Sequence, residues 1–144
     1  MSRLQIKRIQ TERQRKAMLD LHRVCLPADK LVTVDSKSCA FGVYDSGDLV
    51  AFSVVRPSRG YQETVYLARA GVHPDYRGRG LQNQLIRKRE EWAKRKGYKY
   101  AITDTNNESV ASMRSLIATG YRPFWPQLSK PWALKSSVYW IKKL

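Results

Sequence analysis

The sequence predicts one α/β domain, α+β in its detail, and three stretches carry that prediction. From Thr64 to Gly97 the chain reads as strand, glycine-rich turn and helix. From Cys39 to Val55 two apolar runs flank Asp45-Ser46-Gly47-Asp48, the pattern of a β-hairpin. From Tyr98 to Gly120 a second strand, turn and helix follow. Strands alternating with amphipathic helices over 144 residues imply a single domain, residues 1–144, with no linker or repeat to divide it.

Taken in order, Arg3 to Ile9 alternates as a first strand with Leu4 and Ile6 on one face. Thr11-Glu12-Arg13-Gln14 has the spacing of a capping box. The helix it opens turns Ala17, Met18, Leu21 and either Val24 or Cys25 inward and ends before Pro27. His22 is expected at the surface or half-buried, and Arg13, Arg15, Lys16 and Arg23 make a basic face. Pro27 to Ser38 shows no period. After the hairpin, Arg56 to Gly60 is a loop with two positive charges.

Val65, Tyr66, Leu67 and Val72 then form a strand that Pro74-Asp75 ends. Gly71 inside it marks a bulge, a close backbone approach or plain packing. Beyond Gly80 a helical stripe of Leu81, Leu85, Ile86, Trp92 and Ala93 faces inward. Arg87, Lys88, Glu90, Glu91, Lys94 and Arg95 take the other side, and Gly97 stops the helix. Tyr98 to Thr103 reads as a strand, Asp104 to Asn107 as a turn, and Glu108 to Thr119 as a helix with Val110, Met113, Leu116 and Ile117 inward. Gly120 ends that helix. A Trp/Pro-rich connection from Trp125 to Trp132 leads to a strand, Ser137 to Ile141, and a basic tail, Lys142-Lys143-Leu144.

Composition narrows the function. A hydrophobic content of 42% excludes wholesale disorder, and no apolar run reaches a membrane-spanning length. The first residues lack the apolar core of a secretion signal, so the expected setting is the cytoplasm, without membrane association. Cys25 and Cys39 lack metal-like spacing and read as reduced structural thiols; no zinc is expected. The net charge of +15 implies attraction for a polyanion: nucleic acid, an acidic protein or a phosphate-rich cofactor. Solvated surface charge is the plainer account of many of these residues.

Where the strand hands over to the helix stands Arg77-Gly78-Arg79-Gly80. The first backbone N–H groups of a helix have no partner within it, and its dipole is positive there. Two glycines let an anion approach the backbone, and two arginines add charge, so the turn forms a phosphate cradle. The plainer alternative is a tight turn into a helix. No Gly-Lys-Ser/Thr closes the loop, and Asn83 stands where a dinucleotide fingerprint would have its third glycine.

The longer run Val72-His73-Pro74-Asp75-Tyr76-Arg77-Gly78-Arg79-Gly80-Leu81 resembles the acetyl-CoA-binding motif of the GNAT superfamily of N-acetyltransferases, Gln/Arg-x-x-Gly-x-Gly/Ala after a bulged strand. Arg77 and Gly80 match its first fixed positions; Gln82 stands where the family has Gly or Ala. Ser112 to Tyr121 is similar to the family's Ser-x-Arg-x-Leu-x-x-x-Gly-Tyr block. The resemblance covers nearly the whole chain. It implies a mixed, mostly antiparallel sheet of six to seven strands, flanked by helices and splayed at the acetyl-CoA site. It also implies that the backbone at Ala70, Gly71 and Val72 holds the pantetheine arm, with Arg77, Gly78, Arg79, Gly80, Leu81 and Gln82 around the pyrophosphate. Ser109 occupies the place of the family's cofactor-contacting asparagine. Asn107 either reaches the pantetheine or caps the helix.

Acetyl transfer to an amine requires alignment, a neutral amine, a stabilised oxyanion and a protonated leaving thiolate. By the resemblance, the strand glutamate of some members is Tyr66 here, a poor base at its ordinary pKa near 10. Glu63, three residues earlier, is a possible substitute. Asp104, at the end of the next strand, is the first choice of base, with a turn or cap aspartate as the alternative. The family's general-acid tyrosine is replaced by Leu116, leaving Tyr121, Tyr139 or water. Three readings follow: an acetyl-CoA-dependent N-acetyltransferase acting on a primary amine of a small molecule or protein; one acting on a nucleic-acid-linked amine such as aminoacyl-tRNA; and a catalytically degenerate binding protein. Clustering of Arg13, Arg15, Lys16, Arg56, Arg59 and the tail would favour the second.

Overall fold

In a computed structural model, which describes residues 4–126 and 137–144, seven strands form one sheet. The elements in chain order are β1 (Leu4–Ile9), α1 (Glu12–Cys25), β2 (Cys39–Asp45), β3 (Asp48–Pro57), β4 (Thr64–Val72), α2 (Leu81–Arg95), β5 (Tyr100–Asn106), α3 (Val110–Ala118), β6 (Arg122–Pro123) and β7 (Ser137–Lys143). The strand order is β1-β2-β3-β4-β5-β7-β6, and every neighbouring pair is antiparallel except β4 with β5. This is the mixed, mostly antiparallel sheet expected. Part of the Trp125–Trp132 connection lies outside the described residues.

Local chemistry sets the elements. Thr11 Oγ1 accepts from the Gln14 N–H at 3.1 Å, and Gln14 Oε1 accepts from the Thr11 N–H at 3.0 Å, so the capping box closes both ways. Ser46 and Gly47 both have positive φ, 51° and 93°, as a two-residue turn of the twist-matching kind requires. β3 is buried continuously from Val50 to Val55, because helices cover both of its faces. Met18 and Leu21 of α1 pack with Ile9, Ala40, Phe52 and Val54. The α2 stripe of Leu81, Leu85, Ile86, Trp92 and Ala93 packs with Phe41, Val55, Val65 and Leu67 on the other face.

Several expectations fail, most of them because a residue found a partner distant in sequence. His22 is fully buried against Phe52, its Nδ1 accepting from the Val32 N–H at 3.2 Å. Glu90 sits inside, accepting from Tyr121 at 2.7 Å and Lys142 at 3.1 Å. Lys142 therefore belongs to β7, and no free basic tail begins there. Asp104 to Asn106 continue β5 in register with β7 instead of turning. The next helix starts later, at Val110, and leaves Val110 and Ile117 exposed at 54% and 62%, so Leu116 alone of its four expected core residues is fully buried.

Candidate active site

The site forms where β4 and β5 part. These parallel strands pair only at Thr64↔Tyr100, Val65↔Ala101 and Tyr66↔Ile102. On its other side β4 carries a bulge: Val55 pairs with Leu67 and Ser53 with Ala70, so Val54 opposes both Ala68 and Arg69. The bulge thus lies just before Gly71, not at it. Thr103 Oγ1 donates to the Leu67 carbonyl at 2.7 Å, a side chain taking over where the parallel ladder ends. Beyond that point the strands diverge as a fork. A Cβ on Gly71 would lie 2.7 Å from the Phe52 ring and 2.9 Å from Cys25 Cβ. Gly71 is therefore a close-approach glycine, and it lets the end of α1 form a wall of the fork.

On the donor side of the fork a cleft of about 740 Å³ runs from Ala70, Gly71 and Val72 to Arg77, Gly78, Gly80, Leu81 and Gln82, with Ser109 and Ser112 opposite. Gly78 and Gly80 both have φ of 77°, and a Cβ there would touch nothing within 4 Å. They are needed for left-handed backbone, not for space. Gly80 is the N-cap of α2, and no side chain bonds to the first turn, so its N–H groups remain for a ligand. Gln82 Oε1 and Asn83 Oδ1 are buried without a partner among the described residues. Orphaned polar atoms beside an uncapped helix N-terminus suit a polar, anionic group. Arg77 folds back onto the Val72 carbonyl. The Arg79 side chain turns to the Tyr76 ring, 4.7 Å away, and is not among the cleft residues.

Asn107 neither lines this cleft nor caps the helix. Ser109 is the N-cap, and Asn106 Oδ1 accepts from the Glu108 N–H at 2.8 Å. Ser109 thus takes the wall position that Asn107 was expected to share.

A second cleft, of about 400 Å³, occupies the fork and adjoins the first, the two sharing Ala70, Gln82, Ser109 and Ser112 as lining. Across it Tyr66 Oη donates to Asp104 Oδ1 at 2.6 Å. Burial pushes the Asp104 carboxyl above its ordinary range, against the opposing effects of the Tyr66 hydrogen bond and the Arg69 charge. Burial and the Asp104 charge push the Tyr66 phenol up in turn. Arg69 pairs with Asp29 at 2.6 Å at the same cleft, tying the Pro27–Ser38 segment to β4.

Glu63 is not part of this site. It stands before the paired end of β4, at φ 55°, with its carboxylate 3.0 Å from Lys99 in an exposed ion pair. Tyr121 is likewise committed elsewhere, to Glu90 in the core, and burial raises its pKa. The sequence reading missed Arg89. This arginine on α2 is only 3% exposed, lines the fork, and donates to the carbonyls of Leu85 and, weakly at 3.4 Å, Val54 at the bulge. Desolvation pushes its pKa down to about 10. Its only sequence signal is its place between Ile86 and Trp92, on the flank of the apolar stripe.

Residues 6–116 match the model of the acetyltransferase (GNAT) family, and the chain belongs to that family. It is an acyltransferase, and the family's donor is acetyl-CoA. An IAA acetyltransferase from Bacillus cereus superposes with a TM-score of 0.77 at 19% identity, covering 98% of this chain and 99% of the other. The PaiA N-acetyltransferase of Thermoplasma acidophilum, solved with coenzyme A, gives 0.78 at 11% identity over 98% and 99%. The Escherichia coli ribosomal-protein-S18-alanine N-acetyltransferase gives 0.75 at 12% identity over 97% and 93%. At such identities the likeness is one of fold. No curated protein sequence matches the chain.

Proposed function

We propose that the protein transfers an acetyl group from acetyl-CoA directly to a primary amine of a small molecule or a protein, in the cytoplasm. One observation carries the reading: an uncapped helix N-terminus and a half-buried carboxylate line two adjoining clefts of the fork. Acetyl-CoA in the donor cleft supplies the acyl group as a thioester and a thiolate as leaving group. The α2 N-terminus and Gly78–Gly80 backbone bind its pyrophosphate. The parted β4 edge at Ala70 to Val72 aligns the pantetheine arm. Asp104 accepts the amine proton, and Tyr66 fixes its orientation. A carboxylate whose pKa is raised toward the working pH is a stronger base than an ordinary one.

Calorimetric titration with acetyl-CoA at low and moderate salt tests the donor site. Saturable binding that persists in salt is expected; binding lost with modest salt would reduce the cradle to unspecific charge. A nucleic-acid-linked amine is the second reading. Arg13, Arg15 and Lys16 line one groove and Lys37, Arg56 and Arg59 another, with residues 32–37 running between them. Lys142 is committed to Glu90, which takes one of the tail's two lysines away from that cluster. The purely binding alternative has less support, since a base, a cradle and a fork meet in adjoining clefts.

A further inference from the structure

Beside the fork lies a concave site that the acetyl-transfer chemistry does not use. It is a pocket of about 460 Å³ lined by residues 35–37 and 56–59, with Lys37, Arg56 and Arg59 as its cations. None of the three forms an ion pair among the described residues. Its one carboxylate, Asp35, is occupied by its own turn, accepting from the N–H groups of Lys37 and Ser38 and from the Ser38 hydroxyl. Ser58 Oγ likewise accepts from the N–H groups of Gly60 and Tyr61, which fixes the far wall.

Arg56 connects this pocket to the chemistry. Its guanidinium sits 5.2 Å from the centroid of the Tyr66 ring, and the hydroxyl of that ring bonds Asp104. The Tyr66 ring therefore separates the cationic pocket from the base. Arg56 is half-buried and stacked, so its planar fork of donors is held in place before any ligand arrives. Three cations line the pocket against a single carboxylate, Asp35, whose oxygen is held by its own turn and whose charge Arg56 feels. This excess of positive charge forms a site for an oxyanion of high charge density.

We propose that this pocket is an acceptor subsite for a phosphate group, so that the acetylated amine belongs to a phosphate-bearing molecule. The inference rests on the acetyl-transfer reading above and narrows its acceptor class. Phosphate oxygens bind Lys37, Arg56 and Arg59 while the amine reaches past Tyr66 to Asp104. The phosphate comes either from a small phosphorylated amine or from a polynucleotide end.

The test is titration of the coenzyme A-saturated protein with inorganic phosphate, followed residue by residue through amide NMR shifts. Saturable shifts at residues 35–37 and 56–60 are expected. The double variant Lys37→Gln, Arg59→Gln, which leaves the Arg56–Tyr66 stack intact, should weaken binding about tenfold. Shifts confined to other residues, or equal affinity in the variant, would overturn the proposal. Should coenzyme A fail to saturate the protein, the donor-site reading falls, while the phosphate titration still reports on residues 35–37 and 56–60. A parallel titration with O-phosphoethanolamine and with single-stranded RNA across salt identifies the source. Binding of O-phosphoethanolamine that the double variant weakens assigns a small phosphorylated amine, and a steep salt slope for RNA that the double variant flattens assigns a polynucleotide. Affinities for both that the double variant leaves unchanged overturn the subsite.

Discussion

The two sides of the fork are built by different means. The donor side is made of backbone: a helix N-terminus without a side-chain cap, two left-handed glycines and a strand edge left unpaired by β5. The proposed acceptor side is made of side chains, Asp104, Tyr66, Arg69 and Asp29, brought together from three separate segments. A backbone site fixes what is common to the donor, and a side-chain site is free to change with the acceptor. The donor side should thus be sensitive to conformation and the acceptor side to charge.

The sharpest way to separate the two sides is Asp104→Asn. Turnover should fall about 10²- to 10⁴-fold, as for loss of a general base, with acetyl-CoA affinity held. Because burial raises the folded-state pKa, the ionised carboxylate is destabilising. Wild-type stability should decline as pH rises from the ordinary 3.8 through the raised value, and the asparagine variant should melt higher at neutral pH. Activity should rise with pH through that same raised pKa. A pH-independent rate in the wild type would return Asp104 to a structural role.

Gly80→Glu attacks the donor side. It forces a side chain into φ 77° and sets a negative charge in the proposed pyrophosphate site, so affinity for acetyl-CoA should drop about 100-fold or more. Calorimetry that finds unchanged affinity would remove the cradle from the mechanism.

Beneath both sides lies the packing of the Pro27–Ser38 segment on His22. His22→Ala should cost roughly 3 kcal/mol in denaturant unfolding, from the cavity and the lost Val32 N–H acceptor. Burial lowers the His22 pKa, so its neutral form is what the fold holds. Its contribution is full above 6.5 and is lost as pH falls from there. Smallest of all, Glu63→Gln should change stability by less than about 1 kcal/mol and leave the rate intact, since it breaks only an exposed pair. A large rate loss would restore Glu63 as a base.

Legibility followed the same divide. Thr11 with Gln14, the turn at Ser46-Gly47 and the stripe of α2 depend on residues within a few positions of one another, and each formed as read. Asp104 and Tyr66 were each singled out through the family's pattern, yet the hydrogen bond between them, across 38 residues of chain, was not. Glu90 looked like a solvated helix charge because nothing near it announces Lys142, 52 residues on.

By itself, then, the sequence determined most of the elements, the left-handed glycine turn before α2 and the family, because capping, periodicity and glycine conformation are short-range. Only the tertiary structure decided which charges are buried, where the bulge opens the sheet and which carboxylate faces the cleft. Those outcomes depend on desolvation and on hydrogen bonds between segments, and neither is encoded in any single stretch of chain.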